Sequence, residues 1–165
     1  MPCYHPVECF RSRQGKNENG KWPIVFTSSQ GYRDKSLQIP CGKCIGCRLE
    51  HAKQWAVRCY HEGLMHEQSC FITLTYDNDH LPLNGSLDKR DFVLFMKRLR
   101  KQIGKVRFFH CGEYGEQYGR PHHHACLFGW VPADKVLWKR TNNVEIYISE
   151  FLRQVWGMGH ITVGD

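Results

Sequence analysis

The sequence predicts an α+β protein: an antiparallel sheet with helices on one face, joined to an N-terminal cysteine-rich, metal-stapled lobe. Three observations predict it. Hydrophobic patterns follow the order β-α-β-β-α-β after a helical entry. Three cysteines crowd Cys41-Gly42-Lys43-Cys44-Ile45-Gly46-Cys47, and a strand-like run carries His122-His123-His124. The expected division places the lobe and a long helix in residues 1–67 and the sheet in residues 68–165.

Residues 11–36 are polar, with one short strand-like patch at Trp22 to Phe26, and read as loop or a weak hairpin. From Ile45 to about Glu67, Leu49, Ala52, Ala56, Cys59 and Leu64 fall near helical spacing with Arg48, Lys53 and Arg58 between them, which predicts a long amphipathic helix. Phe71-Ile72-Thr73-Leu74-Thr75-Tyr76 is β-branched and aromatic, hence a strand. It is broken by Asp77-Asn78-Asp79, Pro82 and Asn84-Gly85. Ser86 or Asp88 then caps a helix in which Phe92, Met96, Leu99 and Ile103 recur on one face, ending before Gly104. Val106 to Cys111 and His122 to Phe128 read as two strands, paired antiparallel around the Gly112 to Pro121 loop. Ser149 to Trp156 reads as a short helix, and Gly159 to Val163 as a last strand.

Hydrophobic residues make up 41% of the 165-residue chain and aromatic residues 13%, which excludes a disordered chain. No apolar run approaches the ~18 residues of a membrane span. Lysine and arginine exceed aspartate and glutamate by seven, and the sequence pI is near 9.0, so polyanions are the expected partners, nucleic acid first. The opening Met1-Pro2-Cys3-Tyr4-His5-Pro6 lacks the features of a signal peptide. The nine cysteines therefore point to a reducing cytoplasm, where clustered thiols bind metal more often than they cross-link.

On a strand, His122 and His124 share a face and His123 takes the other. Glu113, in the glycine-bearing turn just upstream, is the candidate third ligand of a divalent ion, with Glu116 as its alternative. Such a set leaves positions open for water or a phosphate oxygen, as catalysis requires. The Cys41, Cys44 and Cys47 thiols are a second site, for which zinc is favoured and an iron–sulfur cluster is the alternative. Cys3 is the chosen fourth ligand, with His5, Cys9 and His51 as competitors. Cys59, Cys70, Cys111 and Cys126 lie in apolar stretches and are expected to be buried. The second helix carries Lys89, Arg90, Lys97, Arg98, Arg100 and Lys101 around its apolar stripe, a face able to track phosphates. Tyr76, Tyr114, Tyr118 and Trp130 are candidates for stacking on unpaired bases.

Taken together, the strand Phe71 to Tyr76, the turn Cys111-Gly112-Glu113-Tyr114-Gly115 and Gly119-Arg120-Pro121-His122-His123-His124 resemble the first two motifs of HUH endonucleases, the rolling-circle replication initiators. The Cys-Gly-Lys-Cys-Ile-Gly-Cys-Arg segment, the Gln54-Trp55-Ala56-Val57-Arg58 helix and the Pro2-Cys3-Tyr4-His5-Pro6 opening are similar, more narrowly, to initiators of gokushovirus-type microviruses. That resemblance implies a ferredoxin-like sheet on which Glu113, His122 and His124 hold magnesium or manganese. It also implies nicking of single-stranded or origin DNA by transesterification in the cytoplasm of a bacterial host. Thr73, Thr75, Tyr76, Lys97, Arg98, Lys101 and Arg120 are the expected DNA-binding residues. Two departures stand out: His123 where the family usually has a hydrophobic residue, and, after the histidine triplet, no tyrosine with lysine three residues later, the last tyrosine being Tyr147 followed by Ile148-Ser149-Glu150. The nucleophile is therefore expected beyond Asp165, in a longer enzyme. The competing expectation is a zinc-stapled nucleic-acid-binding module without nuclease activity.

Overall fold

The computed structural model describes residues 3–164, and the apolar alternation of one strand sets the two faces of its larger sheet. Strand β4 (Ser69–Tyr76) buries Cys70, Ile72, Leu74 and Tyr76 and turns Phe71, Thr73 and Thr75 to the opposite face. One face is therefore core and the other is open.

Two compact units divide the chain between Arg58 and Cys59, inside helix α1 (Ile45–Leu64). In the first unit, β1 (Val7–Ser12), β2 (Ile24–Val25) and β3 (Gly31–Ile39) form an antiparallel sheet in the order β2-β1-β3. The strand-like patch expected at Trp22 to Phe26 holds β2, while the rest of 11–36, expected as loop or a weak hairpin, also contains the end of β1 and most of β3. β2 contributes only two residues and β3 is exposed along most of its length, so neither carries the periodic apolar signal of a buried strand.

The second unit holds a six-stranded antiparallel sheet in the order β5-β6-β4-β9-β8-β7. Its other elements are α2 (Lys89–Ile103), β5 (Arg107–Tyr114), β6 (Pro121–Phe128), β7 (Val136–Thr141), β8 (Val144–Ile148), α3 (Glu150–Trp156) and β9 (Gly159–Gly164), with a short 3-10 turn over Leu83–Gly85. The hairpin β7–β8 interrupts the expected β-α-β-β-α-β order. It turns at Asn142 and Asn143, both with positive φ, as tight two-residue hairpins require.

Helix α2 starts where Asp88 accepts a hydrogen bond from the Arg90 amide at 2.8 Å and stops at Gly104, whose φ of 83° suits glycine. Its buried Phe92, Phe95, Met96 and Leu99 join Leu152, Val155 and Trp156 of α3 in one core with Ile72, Leu74, Ala125, Leu127 and Val163 of the sheet. Helices α2 and α3 thus pack on the same face, as expected. Helix α1 departs from its expected amphipathic burial: Leu49, Ala52, Ala56 and Leu64 are exposed, and Gly46 is its buried residue. Among the described residues, no helix is long and apolar enough to cross a membrane.

Candidate metal centres

Strand β6 is sandwiched between β5 and β4, so its residues from His122 to Phe128 have a neighbour on both sides. His122 lies opposite Thr75 on β4 and Glu113 on β5; His124 lies opposite Thr73 and Cys111. All of these side chains belong to the face away from α2 and α3, because they alternate with the buried Ile72, Leu74, His123 and Ala125. The strand period thus gathers two imidazoles, two hydroxyls and a carboxylate on one surface.

The threonines fix the histidine rings. Thr73 Oγ1 lies 3.0 Å from His124 Nδ1, and Thr75 Oγ1 lies 3.0 Å from His122 Nδ1. Both Nε2 atoms are thereby turned outward. His124 Nε2 meets Glu113 Oε1 at 2.8 Å, a diagonal reach across the β5–β6 pair, and Phe71 stacks on the His124 ring with centroids 5.3 Å apart. The two imidazole centroids are 6.3 Å apart. Burial, reinforced by the neighbouring His124, holds the His122 ring below the usual histidine range and favours its neutral, ligating form.

A hydroxyl both donates and accepts, so each threonine can match either tautomer. It donates to Nδ1 when Nε2–H binds the carboxylate, and accepts from Nδ1–H when the Nε2 lone pair faces a cation. Room at His122 depends on Gly115, where an added Cβ would sit 2.9 Å from Nε2. Imidazole and carboxylate donors of this kind suit a divalent first-row ion, and outer hydrogen bonds to Nδ1 are how ligating histidines are usually oriented.

Beneath the open face runs a chain of hydrogen bonds that the sequence reading missed. Tyr76 donates to Asp91 Oδ2 at 2.8 Å, His123 Nε2 lies 3.0 Å from the Tyr76 hydroxyl, and His110 Nε2 lies 3.1 Å from His123 Nδ1. The carboxylate takes the only hydroxyl proton, so neutral His123 donates through Nε2 and accepts from His110 through Nδ1. Burial holds both rings below the ordinary range, His110 down to about 4. The unusual histidine within the triplet is thus a core residue with both nitrogens satisfied. The strand-pairing register, which joins residues 76, 91, 110 and 123, is not visible in local sequence.

Several expected DNA contacts sit elsewhere. Tyr76 is fully buried and cannot stack on a base. Arg98 is fastened to the carbonyls of Val155 and Trp156, and Arg120 to the Tyr76 carbonyl at 2.7 Å and Asn78 Oδ1 at 2.5 Å. Lys97 and Lys101 are exposed, but on α2, across the sheet from His122 and His124. Thr73 and Thr75 do lie on the open face, with their hydroxyls engaged by the histidines. Tyr114 and Tyr118 are exposed, while Trp130 packs against the core. Glu116, the alternative to Glu113, lies in the turn after β5 and is exposed. Of the four cysteines expected to be buried, Cys70 is, whereas Cys111 is exposed opposite His124 and Cys59 and Cys126 are half-buried. An apolar neighbourhood in sequence does not say which face of a strand a thiol takes.

The second centre needs no diagonal reach. The sulfurs of Cys3, Cys41, Cys44 and Cys47 lie within 4.8 Å of one another, and Cys3 and Cys44 are 3.8 Å apart. Zinc–sulfur bonds of about 2.3 Å in a tetrahedron put sulfurs roughly 3.8 Å apart. The cluster could therefore hold a metal such as zinc. Main-chain N–H groups already point at the sulfurs: Cys41 N donates to Cys3 Sγ at 3.3 Å and Cys44 N to Cys41 Sγ at 3.4 Å. Amides of Cys47 and Tyr4 pull the Cys44 thiol down to about 6, while desolvation and the neighbouring thiols push Cys47 up to about 12. One thiolate forms readily, and a cation is required for all four. The choice of Cys3 over its competitors agrees with this grouping: Cys9 is buried in β1 and bonded to the Leu37 carbonyl, and His51 accepts from Trp55.

Comparison with known proteins bears on both centres. Residues 69–165 match the family model described as replication-associated protein ORF2/G2P, a span that contains Glu113, His122 and His124. The replication-associated protein VP4 of Bdellovibrio phage phiMH2K is 35% identical over 99% of this chain and 53% of its own length. ORF4 of Chlamydia phage 1 is 35% identical over 79% of this chain and 35% of that protein, and ORF2 of Spiroplasma virus 4 is 28% identical over the whole chain and 56% of that protein. Both carry the same replication-associated description. The chain spans about half the length, or less, of these curated relatives, and no solved structure matches it. The resemblance drawn from the cysteine run and the histidine triplet is borne out: the chain belongs to the replication-associated protein ORF2/G2P family.

Proposed function

We propose that this chain is the front part of a rolling-circle replication initiator of HUH type, which nicks single-stranded or origin DNA by metal-assisted transesterification. The observation that carries the reading is the placement of His122, His124 and Glu113 on one open sheet face, with His124 and Glu113 in contact and each Nδ1 held by a threonine. The order β5-β6-β4-β9 within the larger sheet supports a ferredoxin-like core, since it is the order expected of two interleaved β-α-β units. Residues 1–67 act as a zinc-stapled lobe and residues 68–165 as the catalytic core.

In this reading His122, His124 and Glu113 would hold manganese or magnesium, which would supply positive charge against a scissile phosphate. Thr73 and Thr75 keep the two Nε2 atoms directed at that position, and Phe71 limits rotation of the His124 ring. The nucleophile is a tyrosine outside residues 1–165. Its oxygen forms a bond to phosphorus while the bond to the 3′ oxygen breaks; the tyrosine keeps the 5′ phosphate and the released oxygen becomes a 3′ hydroxyl. Residues 1–165 alone then bind metal and DNA without forming an adduct. The setting is an infected bacterium, consistent with the phage origin of the relatives.

The test is a manganese titration of the wild-type chain and of His122→Ala, His124→Ala and Glu113→Gln, paired with a cleavage assay on a version extended past Asp165. The reading expects a site lost in the histidine variants and a tyrosine–DNA adduct in the extended protein. A second reading, a zinc-stapled nucleic-acid-binding module, is favoured by the closer convergence of the four cysteines. Metal bound at the thiols alone, with no manganese effect and no adduct, would establish it.

A further inference from the structure

Charge is divided unevenly between the two compact units. Residues 1–58 carry ten lysines and arginines against four acidic residues, whereas residues 59–165 carry thirteen against twelve. Nearly all of the net +7 therefore belongs to the cysteine-bearing unit, and the unit containing His122 and His124 is close to neutral. A polyanion is drawn to where the charge is.

Within that unit, helix α1 presents the charge on a bare surface. Arg48, His51, Trp55 and Arg58 recur at i, i+3, i+7 and i+10 and so share a face. Trp55 Nε1 donates to His51 Nε2 at 3.1 Å, and the Arg58 guanidinium lies 4.8 Å from the centre of the Trp55 ring. Between the start of this face and the thiols lies a cavity of about 530 Å³ lined in part by Cys3, Cys47, Arg48 and His51. Every residue from 48 to 58 except Glu50 is exposed, and Glu50 is the one carboxylate in that stretch.

We infer that the Arg48–His51–Trp55–Arg58 face of α1 is a docking surface for duplex DNA, supplying phosphate contacts from the unit that carries most of the net charge. An α-helix with its side chains is roughly 10–12 Å across and a DNA major groove about 12 Å wide, so an uncovered helix can enter it. A single strand would instead need open aromatic rings for its bases. On this face the Arg58 guanidinium already lies over the Trp55 ring. The inference rests on the reading of this protein as one that acts on DNA, but it assigns the affinity to residues outside the proposed catalytic face.

The experiment measures binding of the full chain to a labelled duplex of about 20 base pairs, and to one of its strands, between 50 and 200 mM salt. Arg48→Gln with Arg58→Gln should weaken duplex binding at least tenfold and lower the salt slope by nearly two, at ~0.9 per phosphate contact. Lys97→Gln with Lys101→Gln on α2 should leave both within twofold. Circular dichroism and bound-metal content matching wild type show that each variant is folded, and Trp55→Leu gives a second route to the same face. Equal losses from the two charge pairs, or a larger loss on the single strand than on the duplex, would overturn the inference. His124→Ala keeps the two ideas apart: it should lose manganese and retain duplex binding. Retained manganese would sink the catalytic reading and leave this surface standing.

Discussion

Thr73 and His124 face each other across the β4–β6 ladder and are joined by a 3.0 Å hydrogen bond between the hydroxyl and Nδ1. The same pairing repeats two residues on, between Thr75 and His122. Replacing each threonine by valine keeps the shape of the strand and removes what orients the ring. The double variant Thr73→Val/Thr75→Val should bind manganese roughly 10–100-fold more weakly, the usual cost of losing such outer partners. Electron paramagnetic resonance of free manganese would read this directly, and unchanged affinity would show that the threonines serve another purpose.

Gly115 offers a steric test of the same centre. Alanine there would bring its Cβ within 2.9 Å of His122 Nε2, so the ring must turn and give up Thr75. Gly115→Ala should weaken manganese binding severalfold and lower folding stability by about 1 kcal/mol or less, since only the far end of one side chain must move. Urea unfolding alongside the titration separates the two effects. A large stability loss would mean that the turn itself is strained.

Acid should destabilise the fold through its buried imidazoles. His110 is held down to about 4 by burial and by His123, against about 6.5 in an unfolded chain. Between those values the unfolded chain binds the extra proton, so stability rises with pH. It is complete above pH 6.5 and is lost progressively as pH falls towards 4. Thermal unfolding without added manganese should show this decline, and His110→Phe, which can keep the stacking on Phe92, should make it shallower. Identical slopes would place the acid sensitivity elsewhere.

The thiol centre predicts one tightly held metal per chain. Cys44→Ser should reduce the bound zinc measured by elemental analysis well below one equivalent. A strong chelator should make four further thiols reactive in the native wild-type protein. Iron and sulfide in the purified protein would instead establish a cluster at the same four residues.

Local pattern made the second unit largely legible. Asp88, the stripe from Phe92 to Ile103 and Gly104 mark α2 from cap to cap, and the alternation in β4 and β6 shows which residues share a face. The hairpin β7–β8 was missed because β7 is exposed at every position, so no alternation marks it. Its Asn142-Asn143 turn was the available sign. The roles of Thr73, Thr75, Tyr76 and His110 were out of reach for another reason. They depend on which strands become neighbours, and pairing between residues 73 and 124, or 110 and 123, leaves no mark within either segment. The basic stripe of α2, expected to track phosphates, lies behind the histidines, which only the sheet shows.

Strand β6 commits its two sides to incompatible environments. Sliding its pairing by one residue would lift His123 into solvent and drive His122 and His124 into the apolar layer, away from Thr75 and Thr73. No partly correct alignment can therefore assemble the imidazole pair while leaving the interior intact. Misaligned molecules would lose the threonine-held imidazole pair and cooperative unfolding together, which makes that pair an all-or-nothing reporter of whether the sheet has zipped up in the right frame.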